Sequence, residues 1–423
     1  MLANIFSGFI FLINPTLWFS FGVAEVSTNT RLGYLKLTLF LSLIGLSIFP
    51  WGDGYERYKV FYDAGYYELV DFLSKSILQG DVIFSLVAYC VNYFGFNYQY
   101  VQFCFVFFGY SLIFFHLRTL IIHVRQKERL FLIFLILFLI DIIALANNLR
   151  YMLATIMFVF AISNYENFNN KAMFVFWSAL AGLTHFYAFF LFFLYFFVSR
   201  MALHLSQSKI KRLLLWSIVF SFIFPLLVNI LAPIIQNGDG LLARKFASYL
   251  LGGDGKITKM VSSPAQFINH SVTQLPYIVL LFYFYFHGDR NCLRVKRFLL
   301  FSALSISLIY FFSVYLRIGY FALLYGLFLL IASWGDCIMK VRWRWALFIS
   351  SFVFLIFKFI YFERIMSRDN ISLINENSLC IIVSPIFMVD NCLYSGEDIY
   401  KGNTQFRQLK MESLNRTIEV TGG

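Results

Sequence analysis

Apolar runs long enough to cross a bilayer recur along this chain almost to residue 361, and few folds survive that constraint. A helix needs about 20 apolar residues to cross a hydrocarbon core about 30 Å thick. Within that core every backbone N–H and C=O must be bonded inside its own segment, which favours helices. The expectation is therefore an all-α, polytopic integral membrane protein. It would have about 10 spanning helices, a re-entrant helix pair and an interfacial helix. Composition agrees: 60% of the 423 residues are hydrophobic and 13% are charged, against about 25% charged in soluble domains. The 55 Phe and 26 Tyr suit lipid-facing surfaces and interfacial belts.

The net charge of +12 does not point to nucleic acid. The basic residues sit in short loops between apolar runs, as cytoplasmic loops do. Examples are Arg125, Lys127 and Arg129; Arg200, Lys209, Lys211 and Arg212; and Arg290, Arg294, Lys296 and Arg297. Residues 51–81 reverse the balance, with acids at 53, 56, 63, 68, 71 and 81 against bases at 57, 59 and 75. Segment 51–98 therefore reads as external, with 82–95 too short to span.

Alternating the spans gives a first span at 3–23, kinked at Asn14-Pro15 and retained rather than cleaved. Outward and inward crossings follow at 130–146 and 150–164. The loops at 165–171 and 199–212 then fall on the same, cytoplasmic side. The run 172–198 must enter and leave there, as two arms of about 13 residues broken near Gly182 and Thr184-His185. A second external segment, 234–273, carries Arg244 and Lys245. The membrane domain is 1–361; the polar tail 362–423 reads as external. Cys380 and Cys392 in that tail form a disulfide if it lies outside the cytosol, or remain two free thiols. The six Cys include no C-x-x-C pair, so no metal site or cofactor is expected.

Charges beside apolar runs need a reason. Arg150 lies between 130–146 and 151–162, preceded by Asn147 and Asn148. It either snorkels to headgroups or grips an anion in a wet cavity. Asp141, deeper in the run, reads better as a hydrogen-bond or ion-pair partner than as a catalyst. His185 is either a bonded core histidine or a general base at a helix break. Arg317 at the same face resembles Arg150 in setting. With Arg244 and Lys245 these cations suggest a phosphate-rich ligand. Asp53, Arg57 and Tyr58 lie in a stretch mixing carboxylate, guanidinium and phenol, which by itself reads as a solvated interfacial loop; the same groups also suit sugar hydroxyls.

Four stretches carry a resemblance. They are Gly52-Asp53 followed by Tyr55, Tyr58 and Phe61; Asn148-Leu149-Arg150-Tyr151 with Ala154; Ala181 to His185; and Arg317 with Tyr320. In this order they resemble the EpsG-type branch of the Wzy polysaccharide polymerases, over roughly residues 1–361. Pro50-Trp51 stand where that family often has an Arg, and Tyr151 replaces its usual Gln. The resemblance implies a bacterial inner-membrane enzyme that polymerises O-antigen or exopolysaccharide repeat units at the periplasmic face. Its donor and acceptor would be undecaprenyl-pyrophosphate-linked glycans in membrane lipid, with a chain-length regulator as a candidate partner. The expected catalytic residues are His185, Arg150 and Asp53, without a metal. Arg150, Arg317, Arg57, Arg244, Lys245, Tyr58, Tyr320 and Asn148 are the expected pyrophosphate and sugar contacts. An O-antigen ligase and a flippase or transporter of lipid-linked glycan are the alternatives.

Overall fold

The computed structural model describes residues 10, 14–50, 53–79, 81–236, 264–289, 291–309, 312–334 and 340–367, with 380, 388–389, 392–396 and 398–400 of the tail. All regular structure among these residues is helical. The helices are α1 Pro15–Ser27, α2 Arg31–Ser47, α3 Asp53–Ala64, α4 Leu69–Gln79, α5 Val82–Tyr93, α6 Gln99–Leu120, α7 Gln126–Leu139, α8 Ile142–Asn147 and α9 Leu149–Phe168. They continue as α10 Lys171–Thr184, α11 Tyr187–His204, α12 Gln207–Gln236, α13 Pro264–His287, α14 Leu293–Ser307, α15 Phe312–Ala332 and α16 Val341–Ser367. Two compact units result. One holds Met1–Tyr165, Asn169–Phe189 and Phe359–Gly423; the other holds Glu166–Phe168 and Phe190–Lys358.

In the first unit α1 and α2 form a hairpin. Asn14 caps α1, its side chain accepting from the backbone N–H groups of Thr16 and Leu17 at 2.9 and 3.2 Å. Pro15 follows at the first helical position, where its missing N–H costs nothing. The helix is thus interrupted at Asn14-Pro15, where the sequence expected a kink; most of the expected span's first arm, 3–13, falls outside the described residues. Asn29 turns the chain with φ 62°. Gly33 lets the arms close, since a Cβ there would stand 2.7 Å from the Val26 nitrogen. Buried Lys36 is paired with Glu25 across the hairpin.

Helix α2 packs along α6, and α3 rests on α5 and α8. Helices α3, α4 and α5 have 12, 11 and 12 residues, about 18 Å at most. None can cross a bilayer, in keeping with the reading of 82–95 as too short to span.

The expected single crossing at 130–146 is broken instead. Helix α7 ends at Leu139 and α8 starts at Ile142, capped by the Asp141 carboxylate, which accepts from the Ala144 N–H at 2.9 Å. Non-helical backbone at such depth needs protein partners. Helix α6 supplies them: the Tyr110 hydroxyl donates to the Ile140 carbonyl at 3.1 Å and Gln102 donates to the Ala146 carbonyl at 3.0 Å.

The tail returns to this unit. Val389 and Cys392 bury against Leu43 and Leu46 of α2, with Tyr100 and Phe103 alongside. Cys380 and Cys392 form a disulfide, which decides between the two forms the sequence allowed.

In the second unit α14 is central, packed against α12, α13 and α15. One end gathers loops that the charge bias assigns to a single side. Lys211 lies 4.6 Å over the Tyr285 ring, His287 and Trp343 rings are 5.6 Å apart, and Arg294 donates to the Glu166 carbonyl at 2.9 Å. Beneath them the Glu166 carboxylate accepts from Arg297 at 2.5 Å and from the hydroxyls of Tyr195 and Tyr325 at 3.0 Å.

The break expected inside 172–198 is present: α10 stops at Thr184 and His185 is extended, with φ −159° and ψ 125°. The arms differ from expectation. Helix α10 has 14 residues but α11 has 18. That makes α11 one of three helical segments, with Gln99–Leu120 and Tyr315–Ala332, that are long and apolar enough to cross a membrane among the described residues. The expected count of about 10 crossings is not reached by that measure. Capping breaks such as those at Asn14 and Asp141 leave α1 and α7 with 13 and 14 residues.

Candidate functional site

Four charges meet where α3, the start of α5 and the start of α9 converge in the first unit. Asp81, just before α5, accepts from Arg57 Nη1 at 3.2 Å and is also paired with Arg150 Nη1. Asp53, opening α3, faces Arg150 Nη2 at 3.3 Å and Arg57 Nε at 3.8 Å. The result is a closed quartet of two guanidiniums and two carboxylates, neutral as a whole.

Local structure explains the convergence. Asp53 and Arg57 are four residues apart and share one face of α3. Gly54 lets α3 approach α8, because a Cβ there would stand 2.5 Å from the Asn147 side-chain oxygen. Arg150 sits in the first turn of α9, immediately past the break at Asn148. The Arg57 guanidinium also lies 5.9 Å from the buried Phe84 ring of α5, a favourable face for a cation.

The two carboxylates are not equivalent. The Asp81 side chain is 4% exposed and Asp53 is 36% exposed, while Arg150 and Arg57 are 12% and 16%. Asp81 makes the shorter, drier contacts and bridges both guanidiniums. Asp53 makes the longer contacts and faces solvent. An entering anion therefore displaces Asp53 more easily than Asp81.

Tyr58 flanks the quartet, its ring 6.2 Å from Tyr55 and 5.7 Å from Tyr98. Burial, then Tyr62 and Tyr55, push the Tyr58 phenol above its ordinary pKa. Burial raises fully enclosed Tyr98 too; Asp53 adds to that and Arg57 and Arg150 oppose it. Both phenols stay neutral at ordinary pH and act as hydrogen-bonding groups.

His185 lies in the same unit, half-buried, its ring 6.5 Å from Tyr151, the residue after Arg150, and 6.5 Å from Tyr187. Its Nδ1 accepts from the Tyr187 N–H at 3.4 Å. Asn148 is exposed at the α8–α9 junction. The structure thus gathers Asp53, Arg57, Tyr58, Asn148, Arg150 and His185 into one unit. Arg317 and Tyr320 belong to the other unit. They lie inside α15 rather than at a loop between two spans, because the helix begins at Phe312. Arg150 and His185 thus share one unit and Arg317 belongs to the other. Arg244 and Lys245 fall outside the described residues.

Two functional-looking carboxylates escaped the sequence reading. Asp81 was counted only as one of six acids, yet it stands directly before the apolar run of α5, the same signal that singled out Arg150. Glu166 gave no such signal, because its partners Tyr195, Arg297 and Tyr325 are 29, 131 and 159 positions away. Among the described residues no group of three His, Cys, Asp or Glu side chains has a metal-holding arrangement.

No curated protein and no solved structure matches this chain. The family model described as "EpsG family" matches residues 33–376, which include the whole quartet, His185 and Arg317. The chain belongs to the EpsG family, a family of Wzy-like polymerases.

Proposed function

We propose that this protein polymerises lipid-linked oligosaccharide repeat units by glycosyl transfer at the outer face of the bacterial inner membrane. Donor and acceptor are undecaprenyl-pyrophosphate-linked glycans. The observation that carries the reading is the partly buried guanidinium pair, Arg57 and Arg150, held by Asp81 and loosely closed by Asp53.

The chemistry follows from that asymmetry. The donor's diphosphate takes the place of the Asp53 carboxylate opposite the two guanidiniums, where planar forks grip phosphate oxygens. As the bond from the anomeric carbon to phosphate oxygen breaks, negative charge grows on the diphosphate, and preorganised donors stabilise it. The acceptor hydroxyl oxygen bonds to the anomeric carbon. Its proton passes to a base, either the released Asp53 or His185. Polyprenyl diphosphate leaves, and no metal is needed to balance these steps. Placement of the site outside the cytosol is supported by the acidic segment 51–81 and by the Cys380–Cys392 disulfide on the same unit, since disulfides persist in oxidising compartments.

The test is glycan length in cells carrying Arg150→Ala. Loss of polymerisation leaves surface glycans one repeat unit long. Absence of any surface glycan indicates a flippase instead, and unaltered chain length removes Arg150 from the mechanism. A ligase is separated by supplying purified protein with lipid-linked units alone: only a polymerase lengthens them.

A further inference from the structure

The family-matched region ends at residue 376, so the disulfide-bearing tail lies outside it. Its described residues nevertheless pack beside the quartet. Gln99, at the start of α6, donates to the Tyr394 carbonyl at 3.0 Å. The Tyr394 ring meets Phe49 edge-on at 5.0 Å. Gly396 reaches Tyr58 so closely that a Cβ there would stand 2.7 Å from the Tyr58 hydroxyl. The Cys380–Cys392 bridge anchors this segment on Leu43 and Leu46.

Two polar atoms lie under it without protein partners among the described residues: the Tyr98 hydroxyl and Gln99 Oε1, both on fully buried residues. A buried polar atom left unpaired is costly, which is the signature of a place for water or a ligand hydroxyl. These groups are neutral, unlike the guanidinium pair, so they suit sugar hydroxyls rather than phosphate.

We propose that the tail residues Tyr394 to Gly396, tied down by the Cys380–Cys392 disulfide, form a wall of the glycan acceptor subsite against Tyr58, Tyr98 and Gln99, and that this wall selects the acceptor sugar. The inference rests on the polymerase reading of the same site. It adds that discrimination among acceptors resides in a segment outside the family-matched region.

Two measurements on the full chain in lipid nanodiscs test it. The first uses no turnover. Tyr58→Cys is labelled with an impermeant maleimide and read at that peptide by mass spectrometry, with the disulfide intact and in Cys380→Ser/Cys392→Ser. Release of the tail is expected to raise the labelling rate about tenfold by local opening. Equal rates overturn the wall.

The second follows transfer from a saturating donor, lipid-linked repeat units extracted from cells lacking this chain and blocked at their acceptor hydroxyl, to varied amounts of the unblocked units or of polyprenyl diphosphate bearing one sugar. In Tyr394→Ala and in the double Ser variant, the KM for the full acceptor is expected to rise about tenfold towards that of the single-sugar acceptor, with kcat within about threefold. An unchanged KM, or a kcat loss with no KM change, overturns the selecting role. Failure of the unaltered chain to elongate any unit overturns the polymerase reading instead, and the labelling experiment still judges the wall.

Discussion

Replacing Asp81 by Asn removes one charge from the quartet while keeping its shape. Asp81 receives charge-assisted hydrogen bonds from Arg57 and Arg150, each worth about 1.5–3 kcal/mol net. The Asn carbonyl still accepts a weaker neutral bond, and Asp53 still faces both guanidiniums. The loss of positioning is therefore about 2–3 kcal/mol, below the sum of the two bonds. If Asp81 sets the guanidiniums for the transition state, kcat falls roughly 30- to 160-fold at 1.36 kcal/mol per decade. An opposite effect acts on binding. The quartet goes from neutral to one net positive charge, so a diphosphate meets less competition and the donor KM stays level or drops. The expected signature is a lower kcat without a higher donor KM, measured with lipid-linked donor in nanodiscs across donor concentration. A kcat within about threefold of the parent, with Arg150→Lys inactive in the same assay, refutes the positioning role of Asp81. A raised donor KM at constant kcat refutes the charge argument.

Other outcomes are expected from the same geometry. Gly54→Ala drives a methyl group into Asn147 and costs about 1–3 kcal/mol of packing strain; transfer activity falls, and Asn147→Ala in the same chain restores part of it. Arg150→Lys loses the fork that serves Asp81 and Asp53 together and lowers transfer about 100-fold or more, read as glycans of a single repeat unit. Glu166→Gln strips the partner of Arg297, whose side chain is 11% exposed. Breaking such a buried pair costs about 3–5 kcal/mol, seen as earlier aggregation on heating in detergent. Wild-type heat resistance in that variant removes the cluster from the stability of the second unit. His185→Ala lowers transfer if the histidine is the base, whereas unchanged pH dependence of kcat in His185→Ala leaves Asp53 with that role.

Sequence alone determined the class of this protein. Uninterrupted apolar runs admit helices in a bilayer and little else, and an Arg wedged between two such runs announces a site, because hydrocarbon cannot solvate it. Local chemistry was legible on the same terms: the break at Thr184-His185, a helix at 82–93 too short to span, and a partner role for Asp141. What escaped was everything set by distance along the chain. Asp81 joins Arg150 across 69 positions and Arg57 across 24, and its carboxylate became special only when α3, α5 and α9 converged around it. Glu166 and Arg297, 131 positions apart, left no pattern a sequence reading could find. The Asn14-Pro15 pair was legible in the same local way: the residues signalled a backbone interruption, and Asn14 caps α1 there. Charge and hydropathy are properties of segments and survive in one dimension. Pairing is a property of packed surfaces, and only the tertiary structure chose which carboxylate faces which guanidinium.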